Sequence, residues 1–343
     1  LTMECGKAGE LAVPAKLSNE EERTVTGDSD SIMCGGNRST DENFMSGRNG
    51  SEDLAVEETM ETEFLQGVYV IQTAADGRFI KRMKEYLTYE EAAGACGVDE
   101  EILLLRQEIS GKSEWYNGLM PPDNLNPESV KTFLKLTHEH YEEVFGGSFP
   151  KEVKGFFTDE PNCCDFFSVF HEGRPWIPWS IGFTEYFIEK RGYDPQEKLP
   201  YLFFDGEGAE KIRHDYWKTV AQRFEESYMK QVYEWCDKRG LRTTGHILYE
   251  NDLGYQTRVC GAAMPQLRYL HNPGIDLLGA QTDEYLTVKQ CASVAHQYER
   301  SMTISEAYGC TGWELDFSTQ KWLGDWQFAL GITRRCQHLA LYS

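Results

Sequence analysis

The feature of this sequence that most constrains its fold is a regular alternation of short apolar segments and longer amphipathic segments after residue 112. The short segments predict β-strands at 153–158, 241–248, 274–278, 302–306 and 338–342. The amphipathic segments predict helices at 126–146, 212–238, 287–298 and 320–336. Strands that alternate with helices favour a parallel sheet, and the repetition favours a barrel over an open sheet. We therefore predict an α/β fold of the (β/α)8 TIM-barrel type, incomplete at both ends.

The first 111 residues differ in composition from the rest of the chain. Residues 1–60 are rich in Asp, Glu, Ser, Thr, Gly and Asn, so burial would not offset the entropy cost of ordering them, and we expect loops there. The apolar runs 67–71 and 101–105 predict β-structure, either in a small β-rich module or in early barrel strands. The predicted division is an irregular, acidic and partly β-rich segment at 1–111 and a truncated barrel domain at 112–343.

The overall charge argues against two classes of partner. The chain has 56 acidic and 34 basic residues and a net charge of −22 at pH 7, which repels nucleic-acid backbones and anionic lipid surfaces. No apolar stretch approaches the roughly 18 residues of a membrane-spanning helix. We therefore expect neither nucleic acid nor a membrane as a partner. The start of the chain shows no signal peptide, and the localisation stays open.

Acidic and polar residues follow the predicted strands at their carboxyl ends. They are Asp159, Glu160, His246, Glu250, Asp276 and Glu306. The carboxyl ends of the strands of a parallel barrel converge on one face, where active sites are built. Two carboxyl groups on such a face can flank a glycosidic bond, one as the acid and one as the base or nucleophile.

Glu160 and Glu306 are the predicted catalytic pair. Glu160 lies among Phe156, Phe157 and Pro161, whose apolar side chains would favour a protonated carboxyl group, so we assign it the acid role. Glu306 is then the base or nucleophile. The sequence alone leaves the order of these roles open, and it does not distinguish inversion from retention of the sugar configuration.

Aromatic residues near these positions suit a carbohydrate site, because sugars present apolar C–H faces to flat rings. At least half of the tryptophans are nevertheless expected to pack in the core, including Trp322 and Trp326 on one helix. The predicted substrate-binding residues are Asp159, His246, Glu250, Trp217, Tyr308 and Trp313.

A metal site is the alternative interpretation of His246, Glu250 and the nearby Asp252. These residues do not follow a recognised ligand spacing, which favours a hydrogen-bonding histidine over a ligand. We therefore predict no metal ligands from the residues themselves.

Several short motifs resemble those of glycoside hydrolase family 106, the α-L-rhamnosidase type of large bacterial enzymes. The motifs are Gly-Phe-Phe-Thr-Asp-Glu-Pro at 155–161, Thr-Gly-His at 244–246, Ser-Glu-Ala-Tyr-Gly at 305–309, Lys-Trp at 321–322, Trp-Tyr-Asn at 115–117 and Asp-Asn-Leu-Asn at 123–126. The resemblance covers roughly residues 112–343.

The resemblance implies a (β/α)-barrel catalytic domain, inverting cleavage of a rhamnosyl bond, and calcium assistance in some members. It also implies Glu160 and Glu306 as the catalytic pair, with Glu250 as a rival for either role. The predicted function is cleavage of a terminal sugar, plausibly an α-L-rhamnoside, from a polysaccharide or glycoside. The alternatives are a non-catalytic carbohydrate-binding barrel and a metal-dependent hydrolase built on His246, Glu250 and Asp276.

Overall fold

The chain folds around two separate β-sheets, one antiparallel and one parallel. The computed structural model describes residues 1–11, 63–164 and 174–338. The antiparallel sheet has the strand order β1-β4-β2-β3, in which all neighbouring strands pair antiparallel. Its strands are β1 (Thr2–Gly6), β2 (Glu63–Thr73), β3 (Ile80–Tyr86) and β4 (Glu101–Glu108).

The parallel sheet follows chain order, each strand lying beside the one before it. Its strands are β5 (Gly155–Thr158), β6 (Arg242–Gly245), β7 (Asn272–Leu277), β8 (Ile304–Ala307) and β9 (Arg334–Gln337). The sheet curls into a half-barrel. The predicted α/β class and parallel sheet are therefore confirmed, whereas the described residues contain five strands of this sheet and not a complete eight-stranded barrel.

Helices separate most of the strands of the parallel sheet. The helices are α1 (Tyr89–Ala95), α2 (Pro127–Leu134), α3 (His140–Phe145), α4 (Phe183–Arg191), α5 (Ala209–Phe224), α6 (Lys230–Asp237), α7 (Leu253–Cys260), α8 (Ala263–Leu267), α9 (Leu286–Gln297) and α10 (Phe317–Leu330). One π-helical turn, Lys135–Glu139, joins α2 to α3, and another, Glu225–Met229, joins α5 to α6. Single 3₁₀ segments lie at Glu114–Tyr116, Gly146–Ser148 and Gln196–Leu202. Within the described ranges, no helix is both long and apolar enough to cross a bilayer.

The last predicted helix is wrong at its carboxyl end. Helix α10 stops at Leu330, because Gly331 takes the left-handed conformation with φ +118° and caps the helix. Residues 334–337 then form strand β9 instead of continuing the helix to Cys336. The strand predicted at 338–342 is therefore displaced by four residues, and positions 339–342 of that prediction lie outside the described residues. Every side chain of β9 is exposed, so no apolar pattern marks this strand in the sequence.

The core of the half-barrel lies between the parallel sheet and its helices. Val220 and Phe224 of α5, Cys236 of α6, Val288 of α9 and Ile275 of β7 are all almost completely buried there. Burial of apolar surface stabilises such a core by about 25 cal/mol for each Å² removed from water. The helices therefore hold the strands, and with them the strand ends, in fixed positions.

The described residues at the start of the chain form a strand that the sequence analysis did not predict. The prediction of loops was wrong for Thr2–Gly6, which form strand β1, while residues 12–62 lie outside the described residues. The apolar runs 67–71 and 101–105 lie in β2 and β4 of the antiparallel sheet and not in the parallel sheet. The proposed domain division at residue 111 stays a prediction.

Ion pairs fix the antiparallel sheet beside the half-barrel. Arg174, in the segment that precedes α4, lies 2.6 Å from Glu108 of β4 and 3.2 Å from Glu4 of β1. Arg106 of β4 lies 3.1 Å from the same Glu4. Both arginine side chains and the Glu108 side chain are largely buried, so the carboxyl groups are neutralised where water does not reach them.

Gly245, the last residue of β6, is required by the packing of two strands. Its φ is +138°, and a Cβ atom at this position would lie 1.9 Å from the carbonyl oxygen of Thr158. The Gly245→Ala variant is expected to lower the free energy of unfolding by about 2–4 kcal/mol, because it adds both a steric clash and backbone strain. Chemical denaturation measures this change.

The matched control is Gly147→Ala, since no atom lies within 4 Å of a Cβ at that position. Equal unfolding free energies for the two variants would contradict the packing argument.

Candidate active site

The strand register brings polar side chains together at one edge of the parallel sheet. Asp276 of β7 pairs with Glu306 of β8, so their side chains lie side by side on one surface of the sheet. Thr158 of β5 pairs with Gly245 of β6, and the residues that follow them are Asp159 and His246. The structure therefore places the predicted strand-end residues at a common edge, as expected for parallel strands.

His246 occupies the centre of this group and is 1% exposed. Its Nε2 atom lies 3.0 Å from Oε2 of Glu306 and 3.3 Å from Oδ1 of Asp159. Burial lowers the pKa of this imidazole, while the surrounding carboxyl groups, Asp276 and Asp159 among them, and the hydrogen bond with Glu306 raise it. The net shift is upward, so the ring tends to carry a proton and to donate it in a hydrogen bond between two carboxylates.

Glu160 lies directly after β5 with its backbone in the left-handed region, at φ +46°. A non-glycine residue in this conformation costs about 1–3 kcal/mol, and such strain is concentrated at functional sites. Burial raises the pKa of the Glu160 carboxyl group. The positive charge of His246 opposes this shift, while the nearby carboxylates, Asp276 and Glu306 among them, add to it. The direction agrees with the acid role predicted for Glu160, which stays a prediction.

Asp276 is a third carboxyl group in the cluster. Burial raises its pKa to about 6, with His246 acting in the opposite direction and Glu306 adding to the shift. Its Oδ1 atom is buried and has no hydrogen-bond partner among the residues that the structure describes. An oxygen without a partner in this position is free to bind a ligand or to accept a proton.

The environment of Glu250 does not match the roles that the sequence analysis gave it. Its side chain is buried, and its two oxygens accept the backbone N–H groups of Ile247 and Asp276, each at 3.0 Å. Burial raises its pKa to about 8, against the opposing effect of His246. Both oxygens are thus occupied in tying the β6 loop to β7. This placement gives no support to Glu250 as a rival catalytic carboxylate, a substrate contact or a metal ligand.

Glu306 has a second histidine neighbour that the sequence analysis did not identify. Nε2 of His338, the residue directly after β9, lies 4.0 Å from Oε1 of Glu306. The two Glu306 oxygens therefore face His338 on one side and His246 on the other. His338 was missed because the sequence analysis placed it at the start of a strand at 338–342, whereas it follows the carboxyl end of β9.

The predicted aromatic substrate residues are found in different surroundings. Trp217 lies on α5 in the helix layer and packs against Tyr216, so no contact there supports its predicted role. Tyr308 follows β8, and its hydroxyl group donates a hydrogen bond to the carbonyl oxygen of Gln320. Trp313 lies in the loop between β8 and α10 and is 86% exposed. The predicted packing role fits Trp326, which is partly buried, and is wrong for Trp322, which is 52% exposed.

Two sets of three side chains at this edge offer ligand atoms within 4.8 Å of one another. One set is Asp159, His246 and Glu306, and the other is Glu160, His246 and Asp276. Each set combines one imidazole nitrogen with carboxylate oxygens, a mixture typical of zinc and other transition metals. Calcium prefers six to eight oxygen ligands, so neither set by itself fits the calcium that the family resemblance implied.

The fold is similar to that of a known glycosidase. A rhamnosidase from Novosphingobium sp. PP1Y superposes with a TM-score of 0.54 at 20% sequence identity, covering 78% of this chain and 25% of the rhamnosidase chain. The chain therefore spans about a quarter of the length of this neighbour, and the similarity concerns the fold alone. No protein-family model matches the sequence, and no curated protein sequence matches it.

The raised pKa of Glu250 makes the free energy of unfolding depend on pH. Between its ordinary pKa of 4.5 and about 8, the folded protein keeps this proton while the unfolded chain loses it. The free energy of unfolding therefore falls as the pH rises through this window. The Glu250→Gln variant has no proton to lose, and its unfolding free energy should fall less between pH 5 and pH 8.5.

Urea denaturation at the two pH values measures the difference, with the exposed Glu152→Gln as the control. A Glu250→Gln variant with the same pH dependence as the wild-type protein would contradict this account of Glu250.

Proposed function

We propose that this chain is the catalytic part of a glycoside hydrolase that removes a terminal sugar, with Glu160 and Glu306 as its working carboxylates. The observation that carries the proposal is the cluster around His246, where Glu160 after β5 and Glu306 on β8 reach the same imidazole from the same edge of the sheet. Asp159 at the outer side of this cluster has a side chain that is 74% exposed, so the cluster is accessible from solvent. Paired carboxyl groups at an accessible strand edge suit the cleavage of a glycosidic bond.

Glu160 is the proposed general acid. Its burial favours the protonated carboxyl group, which can transfer its proton to the oxygen of the leaving group as the glycosidic bond breaks. The positive backbone φ at Glu160 turns the chain sharply after β5 and sets the direction in which the side chain leaves the strand.

Glu306 is the proposed base or nucleophile, and His246 is its positioning residue. The proton on Nε2 of His246 is donated to Glu306 at 3.0 Å, which stabilises the ionised carboxylate and fixes its orientation. In an inverting reaction Glu306 removes a proton from the attacking water, and in a retaining reaction it attacks the sugar carbon itself. Following the first-formed anomer by NMR distinguishes the two.

The proposed substrate is an α-L-rhamnoside. The support for this sugar is the similarity of the fold to a rhamnosidase, together with the sequence motifs around Glu160 and Glu306. The exposed Trp313 and the nearby Tyr308 are the proposed aromatic contacts to the substrate.

The Glu160→Gln and Glu306→Gln variants test the catalytic pair. Each is expected to lower kcat/KM on an unactivated rhamnoside by about 10²–10⁴-fold, because each removes a proton transfer or a nucleophile. The control is the exposed Glu152→Gln, which should keep wild-type activity. Near-normal hydrolysis by both variants would contradict the proposal. Sugar binding without any hydrolysis by the wild-type protein would favour a non-catalytic carbohydrate-binding barrel.

Asp276 offers a test through pH. The negative charge of Asp276 raises the pKa of Glu160, so removing it in Asp276→Asn should lower that pKa. The acid would then lose its proton at lower pH, and the alkaline limb of the kcat/KM profile should move to lower pH. Asp325→Asn, an exposed change on α10, is the control. An alkaline limb that stays in place or moves to higher pH would contradict the acid role of Glu160.

A metal-dependent hydrolase is the second candidate, and the two three-residue donor sets favour it. One of the two sets, Asp159, His246 and Glu306 or Glu160, His246 and Asp276, would hold the ion, which would supply an activated water molecule. Dialysis against a chelator followed by addition of zinc or calcium decides between the candidates. Activity that survives chelation supports the carboxylate pair, whereas loss and recovery with one metal supports the second candidate.

A further inference from the structure

Three successive strand–helix units each place large exposed aromatic side chains near the start of the helix. The residues are Tyr255 in the first turn of α7, Tyr285 directly before α9, Trp313 in the loop before α10 and Phe317 at the first position of α10. Their exposed fractions are 50%, 64%, 86% and 87%. We call these four residues the aromatic rim.

The aromatic rim lies on the same face as the carboxylate cluster. A helix that follows a strand of a parallel sheet begins at the carboxyl end of that strand, which is where Asp276 and Glu306 lie. The loops after β7 and β8 are joined by a hydrogen bond of 2.9 Å from the Gly279 N–H to the Gly309 carbonyl oxygen. A Cβ at Gly309 would lie 3.9 Å from Oδ1 of Asp276, so the β8 loop passes directly beside the cluster.

The exposed faces of these rings are available to a ligand, and the Tyr255 ring also packs against Tyr249 with 5.2 Å between the ring centroids. Single exposed apolar side chains are common, but four aromatic rings at equivalent places on adjacent units form a repeated feature of one face. Flat rings bind the apolar C–H faces of sugars, and the loops that carry Tyr285 and Trp313 adjoin the proposed cleavage site. A glycan that extends beyond the cleaved bond would therefore contact the rim.

The charge of the rim limits the kind of glycan. The loops between these strands and helices, at 246–252, 278–285 and 308–316, contain no Lys or Arg. Exposed carboxylates lie within three residues of each ring, at Asp252, Asp283, Glu314 and Asp316. Carboxylates accept hydrogen bonds from sugar hydroxyl groups, whereas they repel the carboxylates of uronic acids.

We propose that the aromatic rim binds the part of an uncharged oligosaccharide or polysaccharide that lies beyond the cleaved sugar. The natural substrate is then a neutral glycan several sugars long, and the rim determines the preference for length and charge. This inference rests on the proposed glycoside hydrolase activity and specifies its substrate class.

The test compares substrates of different length and charge. The first measurement is kcat/KM on 4-nitrophenyl α-L-rhamnoside and on a rhamnose-terminated neutral oligosaccharide, for the wild-type protein and for Tyr285→Ala, Phe317→Ala and a Trp313→Ala/Phe317→Ala double variant. Phe79→Ala is the matched control, since Phe79 is also exposed (44%) but lies beside the antiparallel sheet. The second measurement is calorimetric binding of the neutral oligosaccharide, and of a uronate-containing one of equal length, to the Glu160→Gln variant with and without the double change.

The proposal predicts that the ratio of kcat/KM for the long over the short substrate falls about tenfold or more in the double variant, the effect of losing one or two aromatic contacts. It also predicts that Phe79→Ala leaves this ratio unchanged and that the uronate-containing glycan binds more weakly at low salt. Hydrolysis with an unchanged ratio in all rim variants would overturn the rim proposal and leave the glycosidase proposal standing. Glycan binding that depends on the rim without any turnover would support the rim and overturn the hydrolase. Neither binding nor hydrolysis of any of these substrates would overturn both.

Discussion

The hydrogen bond between His246 and Glu306 is the interaction on which the proposed site depends. Asp159, Glu160, Asp276 and Glu306 are crowded at one sheet edge in a chain with a net charge of −22, and their mutual repulsion opposes this arrangement. A buried imidazole with a raised pKa places a positive charge among them. His246 thus stabilises the ionised Glu306. It also offsets the repulsion among the other carboxyl groups.

Backbone packing and backbone hydrogen bonds hold this arrangement in place. Gly245 lets β6 approach the end of β5, which brings His246 beside the Asp159–Glu160 turn. Glu250 accepts two backbone N–H groups and so joins the loop that carries His246 to β7. Gly245 and Glu250 take up no space that the substrate would need. They nevertheless determine where the imidazole lies. Preorganised groups of this kind are what a catalytic site requires from its scaffold.

Part of this arrangement could be predicted from the sequence, because a strand end has a local signal. Asp159, Glu160 and Glu306 follow apolar or β-branched segments, and parallel strands bring such ends together. Strand β9 has only exposed residues, and three of its four are polar, so its position and the neighbouring His338 could not be found from apolar periodicity. The pairing of β1 with β4 was also hidden, since it joins residues about a hundred positions apart. Trp217 was predicted as a substrate contact from its residue type alone, and its position in the helix layer gives that prediction no support.

The proposed reaction depends most on Glu160, which donates a proton to the leaving group. A comparison of leaving groups measures this step. It compares Glu160→Gln with the wild-type protein on aryl rhamnosides whose leaving groups range from a poor phenol to a dinitrophenol. If Glu160 is the acid, the activity of Glu160→Gln falls by about 10²-fold or more on the poor leaving group. On the dinitrophenyl substrate it stays close to wild type, because dinitrophenolate departs without protonation. An equal loss on both substrates, or no loss on either, would contradict the acid role of Glu160.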